Sequence, residues 1–340
     1  MQAPRMHPWV CLRESFLASI KHLRLFNFAS SFTTPSAVSN NKTPDNMALS
    51  ENTSVQEASQ MEDHSPPSTS EPSQIFNKVL NLDMFEIDEK KLGKGKFARV
   101  YHAKDRETEL EYALKTMKKT DLHYGKVEEQ ARGSIKIQSE IDHPNVLKVF
   151  GNFEDDSKIY VLMELSREGS LYDLAQKNTK VPEPQAAKLI AQLAQALTYI
   201  HGKNIIHRDI NPENVLIGAD GEIKVSGFIW SKPMVDGRSS GLCGLLDYLA
   251  PELLTGAETY DTMVDVWCLG VMTFELLVGR APFEDNVMMT QKRIKSLDME
   301  VPSSVSPEAT DLIHKILIVD PTKRLSLEEI QQHPWILMHN

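Results

Sequence analysis

Residues 207–214 decide the fold, and they read His207-Arg208-Asp209-Ile210-Asn211-Pro212-Glu213-Asn214. This polar stretch lies between two segments of different periodicity. Residues 184–201 carry the apolar spacing of a helix, and residues 215–224 form a predicted hairpin that turns on Asp220-Gly221. The stretch is therefore predicted to be a loop between a helix and a hairpin. Shortly after the hairpin the chain reads Ser226-Gly227-Phe228-Ile229.

Three further motifs lie outward from this loop, and they read Leu92-Gly93-Lys94-Gly95-Lys96-Phe97-Ala98-Arg99-Val100, Tyr112-Ala113-Leu114-Lys115 and Ala250-Pro251-Glu252. Two glycines beside lysines, taken alone, indicate only a flexible turn. The flanking residues add to the signal, because residues 97–103 and 111–115 alternate or run apolar like two strands. Polar residues 105–109 join these strands. The pattern predicts a hairpin that closes over a ligand.

In this order the motifs resemble the signatures of protein kinases. Many local spellings are similar to those of the Aurora kinases, a serine/threonine family, over roughly residues 85–336. The segments that carry this likeness are Phe85-Glu86-Ile87, Gly93-Lys94-Gly95-Lys96-Phe97, Ile137-Gln138-Ser139, His143-Pro144-Asn145, Trp230-Ser231, Leu242-Cys243-Gly244, Leu246-Asp247-Tyr248-Leu249 and His333-Pro334-Trp335-Ile336.

The resemblance implies an α+β, two-lobed protein-kinase fold. We expect a small β-rich N-lobe over residues 85–163, a hinge at 164–166 and a larger α-helical C-lobe over 167–336. The sequence agrees, because strand-like segments such as 158–165 come first. Long apolar faces over 262–279 and 307–319 follow, and they are typical of helices.

Composition bounds the class of protein. The 340 residues are 41% hydrophobic and 25% charged, with a formal net charge of -10. No apolar run is long enough to cross a bilayer, so a membrane-embedded protein is not expected. The acidic balance argues against nonspecific binding to nucleic acid. Three scattered cysteines, Cys11, Cys243 and Cys268, predict neither a disulfide framework nor a zinc site, and indicate an intracellular protein.

Residues 1–84 are predicted to be a tail outside the folded domain. Residues 31–80 are rich in Ser, Thr, Pro, Asn, Glu and Gln and cannot bury enough apolar surface to offset chain entropy. Residues 1–30 are instead basic and amphipathic, with Glu14 the only acid. They have two explanations: an organelle-targeting segment, or an upstream stretch before a true start at Met47. The second is favoured.

The resemblance also implies a site for ATP and Mg²⁺. Asp209 would accept the proton of the substrate hydroxyl, Lys115 would contact the α- and β-phosphates, and Asn214 would hold one magnesium ion. Met163 would be the gatekeeper beside the adenine. The residues implied in nucleotide binding are Leu92, Gly93, Lys94, Gly95, Lys96, Val100, Ala113, Lys115, Met163, Glu164, Leu165, Ser166, Glu213, Asn214 and Leu216.

The chain departs from the family pattern at polar positions, namely Ala98, Ser134, Asn211, Gly227, Ile229, Gly241 and Leu245. Gly227 stands where the family has its metal-binding Asp, so Asn214 is the only protein ligand expected for magnesium. Ser134 stands where a helix Glu pairs with Lys115. In the family, a Lys stands at the position of Asn211 and a Thr at the position of Leu245. Those two residues bond to each other and to the Asp that corresponds to Asp209.

Regulation differs in the same way. Gly241 replaces the activating Thr, although Ser239 or Ser240 could carry a phosphate out of register. The bracing residues are present, because Glu252 and Arg324 can form the buried ion pair of the helical lobe and Asp265 can anchor the catalytic loop. The apolar framework is thus kept while phosphate, metal and activation contacts are lost.

Three hypotheses follow. The first is a catalytically impaired, Aurora-like pseudokinase that acts as a binding or allosteric module. The second is an active serine/threonine kinase that uses Asp209 as base, with Glu213 reading basic residues before the phosphorylated position. The third is a nucleotide-binding protein unrelated to kinases. For the first two, the resemblance implies protein substrates or partners on chromosomes and the spindle, in the nucleus, with no direct contact to nucleic acid or membrane.

Overall fold

The computed structural model describes residues 79–177 and 180–340. The predicted tail lies outside these residues except for 79–84, where Leu82–Met84 form a short 3-10 helix. The basic segment 1–30 and the candidate start at Met47 also lie outside them. In the described residues, no helix is long and apolar enough to cross a membrane.

A five-stranded antiparallel sheet forms the first lobe. Its strands are β1 (Phe85–Lys94), β2 (Ala98–Asp105), β3 (Glu111–Lys118), β4 (Val149–Glu154) and β5 (Lys158–Met163), in the spatial order β1-β2-β3-β5-β4. Alternation along β3 divides its side chains between two faces. Tyr112 and Leu114 pack in an outer cluster with Phe85, while Ala113 and Met117 pack on the inner face.

Two helices cover the inner face of the sheet, α1 (Lys119–Gly125) and α2 (Glu128–Ser139). Ala131 and Ile135 of α2 join the same apolar cluster as Ala113 and Met117. Lys115 lies two residues from both Ala113 and Met117 on β3. Its side chain therefore leaves the sheet on this covered face.

The second lobe is helical. Its helices are α3 (Leu171–Lys177), α4 (Glu183–Gly202), α5 (Pro251–Leu254), α6 (Met263–Val278), α7 (Val287–Ser296), α8 (Pro307–Ile316), α9 (Leu327–Gln331) and α10 (Pro334–His339). Buried faces of α4 and α6 form the centre of the largest apolar cluster. Trp267 and Phe283 stack within it, with ring centroids 5.6 Å apart.

Two small sheets hold the loops that carry the site. Strands β7 (Val215–Ile217) and β8 (Ile223–Val225) form the predicted hairpin, and β6 (Ile205–Ile206) pairs with β9 (Lys232–Pro233). The two-lobed α+β protein-kinase fold is thereby confirmed. Cys243 and Cys268 are buried free thiols.

Candidate functional site

The catalytic loop, residues 207–214, is anchored through its backbone to helix α6. The Asp265 carboxylate accepts the amides of His207 (2.9 Å) and Arg208 (2.8 Å), and also bonds the His201 ring at 2.8 Å. Asp265 is fully buried, and bonds from His201 and the loop lower the pKa of its carboxyl despite the cost of burial. The His207 ring packs edge-on against Phe228 at 4.7 Å. Asp265 thus holds the loop as predicted.

The carboxylate of Asp209 is bonded on both oxygens by neighbouring amides. Asn211 Nδ2 donates to Asp209 Oδ1 at 2.9 Å, and Asn214 Nδ2 donates to Asp209 Oδ2 at 2.9 Å. Both amides also donate to the Asp209 carbonyl, at 3.1 and 2.8 Å. Asn211 in addition accepts the Glu213 amide and so caps the short turn that follows. Asn211 therefore orients Asp209 with a neutral group where the family has a cation.

Gly227 lies directly against the carboxamide of Asn214. The backbone at Gly227 is left-handed, with φ +86°, and a Cβ there would overlap the carboxamide of Asn214, lying within 2.7 Å of its Nδ2. Ser226 beside it donates to the Asn214 carbonyl through its amide at 2.7 Å and its hydroxyl at 3.0 Å, and its own carbonyl bonds the His207 ring at 2.9 Å. The Asn214 carboxamide fills the space into which a side chain at position 227 would project.

This donor set does not fit a magnesium ion. Magnesium in phosphoryl-transfer sites is held through one or two carboxylates in near-octahedral geometry. Gly227 supplies no ligand, and the carboxylate of Asp209 accepts bonds from two amides. The described residues also contain no group of three or more His, Cys, Asp or Glu side chains suited to a metal. Asn214 remains as one amide oxygen beside Gly227.

Lys115 has no acidic partner in the part of the chain that the structure describes. Burial alone accounts for the lowered pKa of its ammonium group. Ser134 is buried on α2, and its hydroxyl donates to the carbonyl of Ala131 at 2.7 Å. Of the nearby acids, Glu128 pairs with Arg132 at 3.1 Å, while Glu129 and Glu140 are exposed.

The glycine-rich loop, residues 92–100, is closed by its own side chains. Gly95 N donates to the Ala98 carbonyl at 3.0 Å, and Arg99 Nη1 donates to the carbonyls of Gly95 (2.7 Å) and Ala98 (2.8 Å). Phe97 lies over Gly125 of α1, where a Cβ would come within 2.6 Å of its ring. Leu92, Lys94, Gly95 and Lys96 are exposed, and Gly93 is half-buried. Sequence reasoning missed the contacts of Arg99.

The apolar part of the groove is assembled from both lobes. Val100 and Leu216 pack against the cluster that contains Ala113 and Met163. The hinge residue Glu164 is fixed because its carboxylate binds Lys224 Nζ at 2.6 Å and the Lys148 amide at 3.2 Å. Within the described residues, the Ser166 amide donates to no protein group. These features fit an adenine ring, which needs an apolar slot and a backbone donor. Leu165 and Ile229 pack beside the same cluster.

The activation segment, residues 227–252, contacts Arg208 without an acidic group. Arg208 is buried and donates to the carbonyl of Ser240 at 2.9 Å. Gly241 has no hydroxyl to phosphorylate, Ser239 is buried and Ser240 is exposed. Leu245 packs against the helical core where the resemblance implies a Thr.

The helical lobe is braced by the ion pair predicted from the sequence. Arg324 Nη1 and Nη2 bind Glu252 Oε1 and Oε2 at 2.8 and 2.7 Å, and the guanidinium lies 5.0 Å above the Trp267 ring. Arg324 also donates to the carbonyl of Met263 at 2.8 Å. Such a bidentate, buried pair fixes the end of the activation segment.

A group of buried acids beside the activation segment was missed by sequence reasoning. Tyr248 Oη donates to Glu275 Oε2 at 2.6 Å. Burial raises the pKa of the Glu275 carboxyl to about 7, and burial together with Glu284 raises that of Asp247 to about 6. Oδ1 of Asp247 has no hydrogen-bond partner among residues 79–177 and 180–340. Only the family spelling around Asp247 and Tyr248 gave any signal here.

Known proteins agree with this architecture. Residues 87–336 match the protein kinase domain. The chain is 47% identical to the Aurora kinase of Schizosaccharomyces pombe over 264 residues, which cover 77% of this chain and 74% of that protein. It is 42% identical to Aurora kinase C of Mus musculus over 271 residues, covering 79% and 98%. For Aurora kinase B of Mus musculus the identity is 41% over 276 residues, covering 81% and 79%. The chain therefore belongs to the protein kinase family and, within it, to the Aurora serine/threonine kinases.

Proposed function

We propose that this Aurora-family chain is a catalytically impaired kinase, a pseudokinase that works as a binding or allosteric module. One observation carries the proposal: the Asn214 carboxamide occupies the space in front of Gly227 and bonds to Asp209. The Nδ2 group of Asn214 is thus bonded to the catalytic acid, and one amide oxygen is all that remains of the metal ligands implied by the resemblance. Clamping of the phosphates by a metal ion contributes roughly 4 kcal/mol to transition-state binding, so its loss lowers the rate about a thousandfold.

The unpaired Lys115 supports the same proposal. A cation that lacks a carboxylate partner is not held at one position beside the phosphates, and positioning is most of what a kinase contributes to catalysis. The effects of Gly227, Ser134 and Asn211 fall on one catalytic unit. The losses of rate at these three positions are therefore not additive, although each position affects the same transition state.

The groove keeps what nucleotide binding without chemistry would need. We propose that adenine enters between Val100, Ala113 and Leu216, with the hinge at Glu164, Leu165 and Ser166 as backbone partner. Lys115 supplies the cation for the phosphates. Binding of ATP is then weak or independent of Mg²⁺, because the residues that would hold the metal are absent.

Protein partners are the proposed ligands of the module. By its resemblance to Aurora kinases, the chain would act in cell division, inside the nucleus, on chromosomes or on the spindle. A basic segment of a partner is the proposed ligand of the region beside the activation segment, where the acids Asp247 and Glu275 have no cation partner in the described residues.

The same acids favour the second candidate function, an active kinase for basic protein substrates. In that function Asp209 acts as base, Asn214 is the sole magnesium ligand and Glu213 contacts basic residues before the phosphorylated position. Asp209 is partly exposed, so a substrate hydroxyl could reach it. The two candidates differ in whether phosphate is transferred.

Radiolabelled transfer from ATP to a basic peptide distinguishes them. Asp209→Asn is the matched control, since it keeps the size and bonding pattern of the side chain while removing the base. Under the first candidate, wild type and control give the same background signal. Clear transfer by the wild type that the control loses would refute it.

A thermal-shift titration tests the metal separately. ATP is added with Mg²⁺ or with EDTA, and the shift in Tm is compared. Equal shifts in Tm support the conclusion that these residues do not fit a magnesium ion. A shift that requires Mg²⁺ contradicts it and favours the active kinase.

A further inference from the structure

Arg208 is a buried cation whose guanidinium bonds carbonyl and hydroxyl oxygens, and no carboxylate, among the described residues. Its Nε donates to the Trp230 carbonyl at 2.7 Å, and its Nη1 donates to the Ser240 carbonyl and to Tyr260 Oη, both at 2.9 Å. The Nε and Nη1 groups of Arg208 therefore point at the activation segment and at one tyrosine. A buried guanidinium must have such partners, because an unbonded charge is costly away from water.

Tyr260 links Arg208 to the residue that replaces the activating Thr. A phenol has one proton to donate, and the Tyr260 hydroxyl donates it to the Gly241 carbonyl at 2.5 Å while accepting from Arg208. Tyr260 is buried, and burial raises the pKa of its hydroxyl, so the group keeps that proton near neutral pH. The Tyr260 hydroxyl thus links Arg208 to Gly241 through two hydrogen bonds.

The backbone on either side continues this attachment. Ser239 N donates to the Tyr260 carbonyl at 2.7 Å, and Tyr260 N donates to the Ser239 carbonyl at 2.9 Å. Just before them, Arg238 donates to the Thr259 carbonyl at 3.0 Å and to its hydroxyl at 3.2 Å. Every residue from 238 to 241 is bonded, through its backbone or side chain, to residues 259–260 or to Arg208.

We propose that Tyr260 is a positioning residue that holds residues 238–241 in place without a phosphate. The inference rests on the proposed function as a binding module, and it adds that the peptide-binding face is formed constitutively. Tyr260 gives Arg208 a neutral oxygen in the position where phosphorylation would supply a charged one. Because residues 238–241 lead directly to Leu245 and Tyr248, fixing them also limits the movement of the segment that follows.

This assignment determines what a phosphate at Ser240 would do. Its side chain is exposed while its carbonyl accepts from Arg208, and residues 239 and 241 on either side are already bonded to Tyr260. In the wild type it therefore adds no order. When the Tyr260 hydroxyl is removed, Nη1 of Arg208 loses one of its two acceptors, and the same phosphate can replace the lost bond.

Hydrogen exchange measured without peptide or nucleotide tests the proposal. In Tyr260→Phe the amides of residues 239 and 260 should exchange about tenfold faster, while those in α6 are unchanged. Phosphoserine introduced at 240 should leave the wild type unchanged and restore slow exchange in Tyr260→Phe. Tyr124→Phe, at an 85% exposed tyrosine in the other lobe, is the matched control.

Two results would overturn the proposal: unchanged exchange in Tyr260→Phe, or slower exchange when the wild type carries phosphoserine 240. Should Tyr260→Phe not fold, Arg238→Ala replaces it, because that side chain is half exposed and cutting its bonds to Thr259 must also speed exchange at residue 239. Unchanged exchange in Arg238→Ala then counts against the proposal. Radiolabelled transfer reports on the proposed function alone, so each hypothesis can fail while the other stands.

Discussion

A single amide group, Nδ2 of Asn214, donates to both the side chain and the backbone of Asp209, at 2.9 and 2.8 Å. The two residues that the family uses for different tasks, proton acceptance and metal binding, are here bonded to each other. The same Asn214 carboxamide lies where a side chain at position 227 would project. Repair of the site therefore involves two positions rather than one.

Replacement of Gly227 by Asp is expected to destabilise the protein by about 1–3 kcal/mol, because the new Cβ overlaps Asn214 at a left-handed backbone. Gly227→Ala should cost a similar amount. In an Asn214→Ala background the cost of Gly227→Asp should fall, since the obstructing group is gone. A double-mutant cycle by urea unfolding measures this coupling, and equal costs in both backgrounds would contradict it.

Lys115 should make stability rise with pH. Burial lowers the pKa of the folded ammonium, so the unfolded chain binds more protons between that pKa and the ordinary value of about 10.4. Stability is lowest below this window and increases across it. Lys115→Met should flatten the rise in urea unfolding between pH 7 and pH 10, whereas Met at exposed Lys118 on the same strand should not. An unchanged slope in Lys115→Met would exclude this origin.

Glu275 should have the opposite effect on stability. Its folded pKa, raised to about 7 by burial, lies above the ordinary value of 4.5, so stability falls as pH rises between these two values. Glu275→Gln keeps an acceptor for Tyr248 and removes the charge. The variant should gain about 3 kcal/mol over wild type at pH 8 and little at pH 5. Exposed Glu258→Gln is the control, and a constant difference across pH would disprove the assignment.

Breaking the brace between Glu252 and Arg324 should be far more costly than breaking a surface pair. Glu252→Gln leaves the buried guanidinium without its counter-charge, at an expected cost of about 3–5 kcal/mol. Lys315→Gln, which removes the exposed pair with Asp311, should cost at most about 0.5 kcal/mol. Urea unfolding compares the two, and similar costs would show that the brace contributes little.

Much of the fold was predictable because local patterns and the family spelling agree. The hairpin that turns on Asp220-Gly221, the helix over residues 184–201 and the pair of Glu252 with Arg324 all follow from period, turn residues and motif. Each of these features depends on residue types with a single structural role, so the sequence pattern was sufficient to predict it.

The contacts inside the site were not predictable in the same way. The Asn214 carboxamide occupies the space in front of Gly227, which a list of lost ligands does not reveal. The bond from Tyr260 to Gly241 joins loops that only the folded C-lobe brings together. The assignments of nucleotide-binding and catalytic residues stay predictions, because they come from the resemblance.

The bonds of Arg99 to the carbonyls of Gly95 and Ala98 affect the conformational entropy that the loop loses when a nucleotide binds. A glycine-rich loop that is loose before binding loses conformational freedom when a nucleotide orders it, and affinity falls accordingly. Here the loop is already held by a side chain of the protein itself. Weak nucleotide binding would therefore reflect unneutralised phosphate charge rather than an ordering cost, and Arg99→Ala should reduce affinity even for adenosine, which carries no phosphate.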